Sequence, residues 1–120
     1  GINRRINRKK LDIKTLNDTF KNKEVLESQV FTTYTKMLKA RRQEALFDPY
    51  GTAAYHAENN VFIIERLRGN FKLLCLHNFS SKTVKVKIDS GATKILFNSR
   101  ANAIGCVGAF DFQWIVIQNQ

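Results

Sequence analysis

The sequence predicts a mainly β fold: an antiparallel β-sandwich of six to seven strands with Greek-key-like connections, preceded by one short and one long α-helix. Three observations carry this. The apolar period changes from three-to-four to two around FDPYG, which holds Pro49, the only proline of the 120 residues. Short segments rich in β-branched and aromatic residues follow, separated by turn chemistry at RGN, NFSSK, DSGA and NSRAN. Within them TVKVKI alternates strictly, with Val84, Val86 and Ile88 on one face and Lys85 and Lys87 on the other.

From Leu11 to Phe20 the apolar residues Leu11, Ile13, Leu16 and Phe20 are spaced for a short helix. Asp12 stands near its start, where a carboxylate suits the unpaired N–H groups. Asn22, Lys23 and Glu24 read as a break, and Ser28 as the N-cap of the long helix. In that helix Val30, Phe31, Tyr34, Met37, Leu38 and Leu46 fall largely on one face; Thr32, Thr33, Lys36, Lys39, Arg42 and Gln43 take much of the other. Asp48 before Pro49 ends it, since the residue before a proline is pushed out of the helical region. The strands expected after Gly51 are VFIIERL, FKLLCLHNF, TVKVKI, TKILFNS, AIGCVG and FDFQWIVIQ.

The net charge of +10 is unevenly placed. Residues 1–14 hold Arg4, Arg5, Arg8, Lys9, Lys10 and Lys14 against Asp12 alone, half of the whole excess. Clustered arginine and a pI near 10 are the electrostatic footprint of a phosphate binder, so a stand-alone nucleic-acid module is one reading. Against it, Phe62, Phe71, Phe79, Phe110, Phe112 and Trp114 lie in apolar strand contexts and read as core rather than stacking platforms. A carbohydrate-binding β domain using Trp114, Tyr50 and Tyr55 is a third reading, opposed by Trp114's neighbours Ile115, Val116 and Ile117, which place it between the sheets.

Catalytic chemistry has little footing. His56 and His77 have no cysteine or carboxylate at a metal-ligand spacing, and His77 reads as a sheet-edge residue. No G-x-S-x-G and no glycine-rich phosphate cradle occurs, so neither a metal nor a cofactor is expected. Cys75 and Cys106, isolated among hydrophobes, read as reduced thiols of a cytoplasmic protein. No apolar run approaches the roughly 20 residues that span a bilayer, so no membrane partner is expected.

The order of motifs adds a resemblance. RRINR (Arg4 to Arg8), a short helix, VFTTYTKMLKARRQ (Val30 to Gln43), LFDP (Leu46 to Pro49) and a run of strands resemble the C-terminal end of the sucrose phosphorylase group of glycoside hydrolase family 13, the α-amylase superfamily. The resemblance implies that residues 1–49 are the loop and last helices of a catalytic (β/α)8 barrel and residues 50–120 a C-terminal all-β domain. Such enzymes retain configuration through a covalent glucosyl-enzyme formed by paired carboxylates, carried on loops upstream of this region. A barrel needs about 250 residues, so the 120-residue piece is not itself active and has no catalytic residue of its own. Gly1 in place of Met agrees with a fragment.

By the same resemblance Arg8 matches an arginine on the floor of the glucosyl subsite, a substrate-binding role only in the intact barrel. A planar fork of five donors suits a carboxylate and neighbouring hydroxyls. The expected partners are the catalytic barrel of the parent chain and, through it, a sugar. The apolar helix face is expected to be covered by the β domain or by a second copy in a homodimer, and the segment around Arg8 to be poorly ordered when detached.

Overall fold

A computed structural model describes residues 10–88, 92–100 and 102–118. The chain divides into two compact units, Gly1–Lys36 and Met37–Gln120.

In the first unit α1 spans Ile13–Lys21, with Asp12 as its N-cap. The Asp12 carboxylate accepts from the Thr15 backbone N–H at 2.8 Å and from the Thr15 hydroxyl at 2.9 Å. Those bonds hold its pKa below the usual carboxylate range. α2 runs Leu26–Gln43, starting two residues before the expected cap. Ser28 is therefore inside the first turn rather than at its edge. It is buried, and its hydroxyl donates to the Phe20 carbonyl at 3.0 Å, satisfying one of the unpaired acceptors at the end of α1. Phe20 and Phe31 stack nearby, with centroids 4.3 Å apart.

In the second unit α2 stops at Gln43, short of the predicted Leu46. Glu44 leaves helical geometry and its carboxylate accepts from the Leu46 N–H, starting a separate 3-10 turn, Ala45–Phe47. The turn buries Leu46 and Phe47 together.

Seven strands follow: β1 Ala53–Glu58, β2 Val61–Arg68, β3 Phe71–Asn78, β4 Val84–Lys85, β5 Ala92–Asn98, β6 Cys106–Val107 and β7 Phe112–Gln118. Five form one antiparallel sheet in the order β1-β2-β3-β7-β5, and β4 pairs with β6 in a second. β7 returns to lie between β3 and β5, the Greek-key element expected. β1 lacks a clear signal in AAYHAE because it is an edge strand exposed along its whole length. TVKVKI keeps its alternation of half-buried and exposed side chains through Ile88, yet only Val84 and Lys85 pair as a strand. His77 is not at an edge: β3 is central, and His77 pairs with Phe62 on one side and Phe112 on the other.

The central strands β3 and β7 are buried on both faces, which explains their unbroken runs LLCL and WIVI. Val61, Ile63, Leu74, Leu76, Ile115 and Ile117 meet Val107, with Val84, Val86 and Ile88 packed against them, and this is the sandwich core. Leu73, Cys75 and Trp114 face the other way and pack with Leu46 and Phe47. Trp114 is thus buried as expected but not between the sheets; it lies against the 3-10 turn. Phe71, Phe79 and Phe110, also expected in the core, are exposed, because they stand at strand ends and turns.

Gly105 is tightly specified. Its φ is +74°, a Cβ there would sit 2.5 Å from the Val86 carbonyl oxygen, and its own carbonyl accepts from the Val86 N–H at 2.8 Å. Gly105→Ala is expected to lower unfolding free energy by at least about 2 kcal/mol, read as a lower urea midpoint at unchanged slope.

Candidate functional site

The most conspicuous feature of the first unit is an apolar stripe on α2. Leu26, Val30 and Tyr34 recur every four residues, one above the other on a helix, and each is exposed, Tyr34 at 54%. In the second unit Leu38 is exposed as well. Of the residues expected on the covered face, Leu46 is buried in the Trp114 cluster and Met37 packs against it, both within the second unit. A stripe of large apolar side chains in water, at partner-helix spacing, is chemically suited to docking rather than to catalysis.

The 3-10 turn is fastened to the sheet by arginines. Arg66 donates through Nε to the Leu46 carbonyl at 2.7 Å and through Nη2 to the Asp48 carbonyl, while Arg68 reaches the Ala45 carbonyl at 3.0 Å. Arg41 lies over the Phe47 ring at 5.2 Å, and Phe47 meets Trp114 edge-on at 4.8 Å. Two arginines of one strand thereby bond three carbonyls of the 3-10 turn and its exit, adding to the backbone bonds that the Ala45 and Asp48 carbonyls already accept. Nothing in the spacing R-x-R of β2 marks this role beforehand; it depends on the turn being brought over the strand.

Titratable groups do not assemble into a reactive centre. Among the described residues no cluster of three or more His, Cys, Asp or Glu has the geometry to hold a metal. His77 is half-buried and stacked on Phe112 at 5.9 Å, and burial pushes its pKa down. Its neutral form is favoured in the fold, so its contribution to stability is complete above pH 6.5 and declines as pH falls below that toward the lowered value. Cys75 is buried, and that burial pushes its thiol up to about 12, against the weaker opposite pull of Arg66 and Arg41. Its share of stability is present below pH 9.0 and lost as pH rises from there toward 12. A thiol reagent at neutral pH is expected to titrate Cys106 alone in the folded chain and both cysteines in urea.

Trp114, Tyr50 and Tyr55 do not come together as a sugar-stacking surface, since Trp114 is enclosed while Tyr50 and Tyr55 are exposed. Arg8, the predicted substrate-binding residue, lies outside the described residues, as does the rest of RRINR and the order expected of it.

With this geometry in place, the comparisons with known proteins are decisive at one level. No family model matches the chain. Glucosylglycerate phosphorylase of Spirochaeta thermophila is 39% identical over 83 residues, which is 67% of this chain and 14% of that protein. The chain is homologous to a C-terminal region of glycoside hydrolase family 13 enzymes. The fold agrees: trehalose-6-phosphate hydrolase of Bacillus licheniformis, in two crystal structures, superposes with a TM-score of 0.61 at 16% identity, over 75% of this chain and 18% of that one. The chain therefore spans less than a fifth of either relative, and corresponds to a domain within larger family 13 enzymes.

Proposed function

We propose that this chain is the C-terminal structural part of a glucosyl-transferring enzyme of the sucrose phosphorylase-like group. Residues 1–49 complete its catalytic barrel, and residues 50–120 form the all-β domain that supports it. The observation that carries this reading is the stripe of Leu26, Val30 and Tyr34, exposed on the part of α2 that belongs to the first unit. Each large apolar side chain moved from water into a packed contact contributes roughly 1.5–3 kcal/mol, so three of them supply ample affinity for a barrel neighbour. The chain itself performs no glucosyl transfer; Arg8 takes part in sugar binding only once the barrel surrounds it. The buried, unpaired Cys75 supports a reducing, cytoplasmic setting.

The test is complementation. The barrel of the Spirochaeta relative, truncated before the matching region, is co-expressed with this chain, and soluble complex and phosphorolysis are measured. Recovery of both is expected, with Val30→Glu/Tyr34→Glu abolishing the complex and Arg8→Lys leaving the complex intact while lowering turnover. A truncated barrel that is equally soluble and active without the chain refutes the proposal.

A further inference from the structure

The end of the sheet where β2 and β7 begin and β3 ends carries a second feature that the docking stripe does not use. Three loops converge there: the Asn59-Asn60 turn between β1 and β2, the segment Phe79–Ser81 after β3, and Phe110 ahead of β7. They are knitted by backbone bonds, Phe79 N–H to the Asn60 carbonyl at 3.2 Å and Phe110 N–H to the Ser80 carbonyl at 3.0 Å. The Asn78 amide, bonded to the carbonyls of Lys82, Val107 and Gly108, fixes the base. On this rigid mount stand two phenylalanine rings, Phe79 at 71% and Phe110 at 74% exposure.

Phe110 is the telling residue. Its φ is +49°, in the left-handed region where a side chain is strained and glycine is at ease. The strain is not returned by packing, because the ring lies in solvent. A sequence under folding constraints alone has no reason to hold a bulky ring in that conformation. Phe79 and Phe110 line one hollow of about 610 Å³, with Phe62 and Val61 behind and Asn60, Ser80 and Ser81 beside them. Among the described residues no basic and no acidic side chain lines it. A phosphate, a nucleic acid or an acidic peptide has nothing to pair with there.

We propose that this hollow binds a neutral saccharide, a glucosyl unit whose apolar C–H face lies on the Phe79 and Phe110 rings and whose hydroxyls meet the Asn60 amide and the Ser81 hydroxyl. Aromatic faces beside uncharged amide and hydroxyl groups match a ligand with one apolar face and a rim of hydroxyls. The choice of a saccharide over other neutral ligands rests on the reading of the chain as part of a glucosyl-transferring protein. Among the described residues no titratable side chain faces the hollow, so the site is proposed for binding alone.

Amide chemical shifts of the full 120-residue chain, followed while trehalose or maltose is added to about 50 mM, test the proposal. Saturable shifts confined to Asn60, Phe79, Ser80, Ser81 and Phe110 are expected. Phe110→Gly is expected to keep the urea midpoint, because glycine suits the backbone there, and to weaken binding by at least about tenfold. No saturable shift, or a large loss of stability in Phe110→Gly, overturns the site. So do shifts that depend on protein concentration without sugar, which assign the rings to contact between copies. Failure here leaves barrel complementation untouched, and a chain that binds sugar without rescuing a barrel keeps this site while sinking the structural role.

Discussion

Trp114→Ala is expected to lower the unfolding free energy of the second unit by about 3–5 kcal/mol, the range for emptying a large aromatic from a packed interior. Trp114 is 6% exposed and touches three other rings: Phe47 at 4.8 Å, Phe97 at 5.5 Å and Phe112 at 5.9 Å. It joins the sheet to the 3-10 turn, so its removal withdraws the floor beneath Leu46 and Phe47 and loosens the carbonyls that Arg66 and Arg68 hold. Far-UV circular dichroism in urea measures the loss, since the variant removes the only tryptophan and with it the natural fluorophore. Trp114→Phe is expected to cost far less. Among the described residues the indole Nε1 is buried without a hydrogen-bond partner, and phenylalanine removes that unpaired donor along with part of the volume. A Trp114→Phe chain as unstable as Trp114→Ala contradicts this account of the cluster.

That cluster also marks how far the sequence could be read. WIVI and LLCL announce strands, and a run with no polar alternation announces burial on both faces. Which layer covers each face is a different matter. Trp114 and Ile115 are neighbours in the chain and point to opposite sides, so the same residues that declare Trp114 buried leave open whether a sheet or a helix end lies over it. The turn Ala45–Phe47 decides it, and its departure from α2 depends on Glu44 taking the Leu46 N–H, a competition between near-equal local geometries that helical spacing alone does not resolve.

The exposed rings were hidden for a related reason. The contexts LHNF and AFD look apolar because strands end or begin there, and a residue next to a strand reads like the strand itself. Phe79 follows Asn78, whose side chain bends the backbone into the NFSSK turn, and Phe110 follows Gly108 and Ala109 in a loop closed by Asp111. Arg8 was singled out only through resemblance: no local rule separates one arginine of six clustered bases from its neighbours, and it lies outside the described residues. The alternation of TVKVKI, in contrast, needs only a half-buried chain, and it survives where the hydrogen-bonded ladder does not.

Asn78→Ala is the second large effect, expected to cost about 3 kcal/mol or more through unpaired polar groups rather than lost volume. Asn78 is 2% exposed. Its amide donates to the Lys82 carbonyl at 2.7 Å, the Val107 carbonyl at 3.1 Å and the Gly108 carbonyl at 2.7 Å, while its Oδ1 accepts from the Ser80 N–H and hydroxyl. One side chain thus serves five bonds between the end of β3, the approach to β4 and the exit from β6, which are the crossings between the two sheets. Alanine strands buried carbonyls at Val107 and Gly108 that water cannot reach without opening the sandwich. Asn78→Asp separates geometry from donor count: it keeps the shape and the acceptor facing Ser80 but replaces the amide donor with an oxygen aimed at three carbonyls, so it is expected to be at least as damaging as alanine at pH 7 and to recover part of the loss as acid protonates it. Because the same amide anchors the mount of Phe79 and Phe110, amide exchange of Ser80 and Phe110 is expected to quicken in Asn78→Ala well below the unfolding transition, while that of Leu73 and Ile115 in the sheet interior tracks the global stability. Uniform acceleration across all four amides marks Asn78 as a contributor to the core alone and removes its role as the anchor of the loop end.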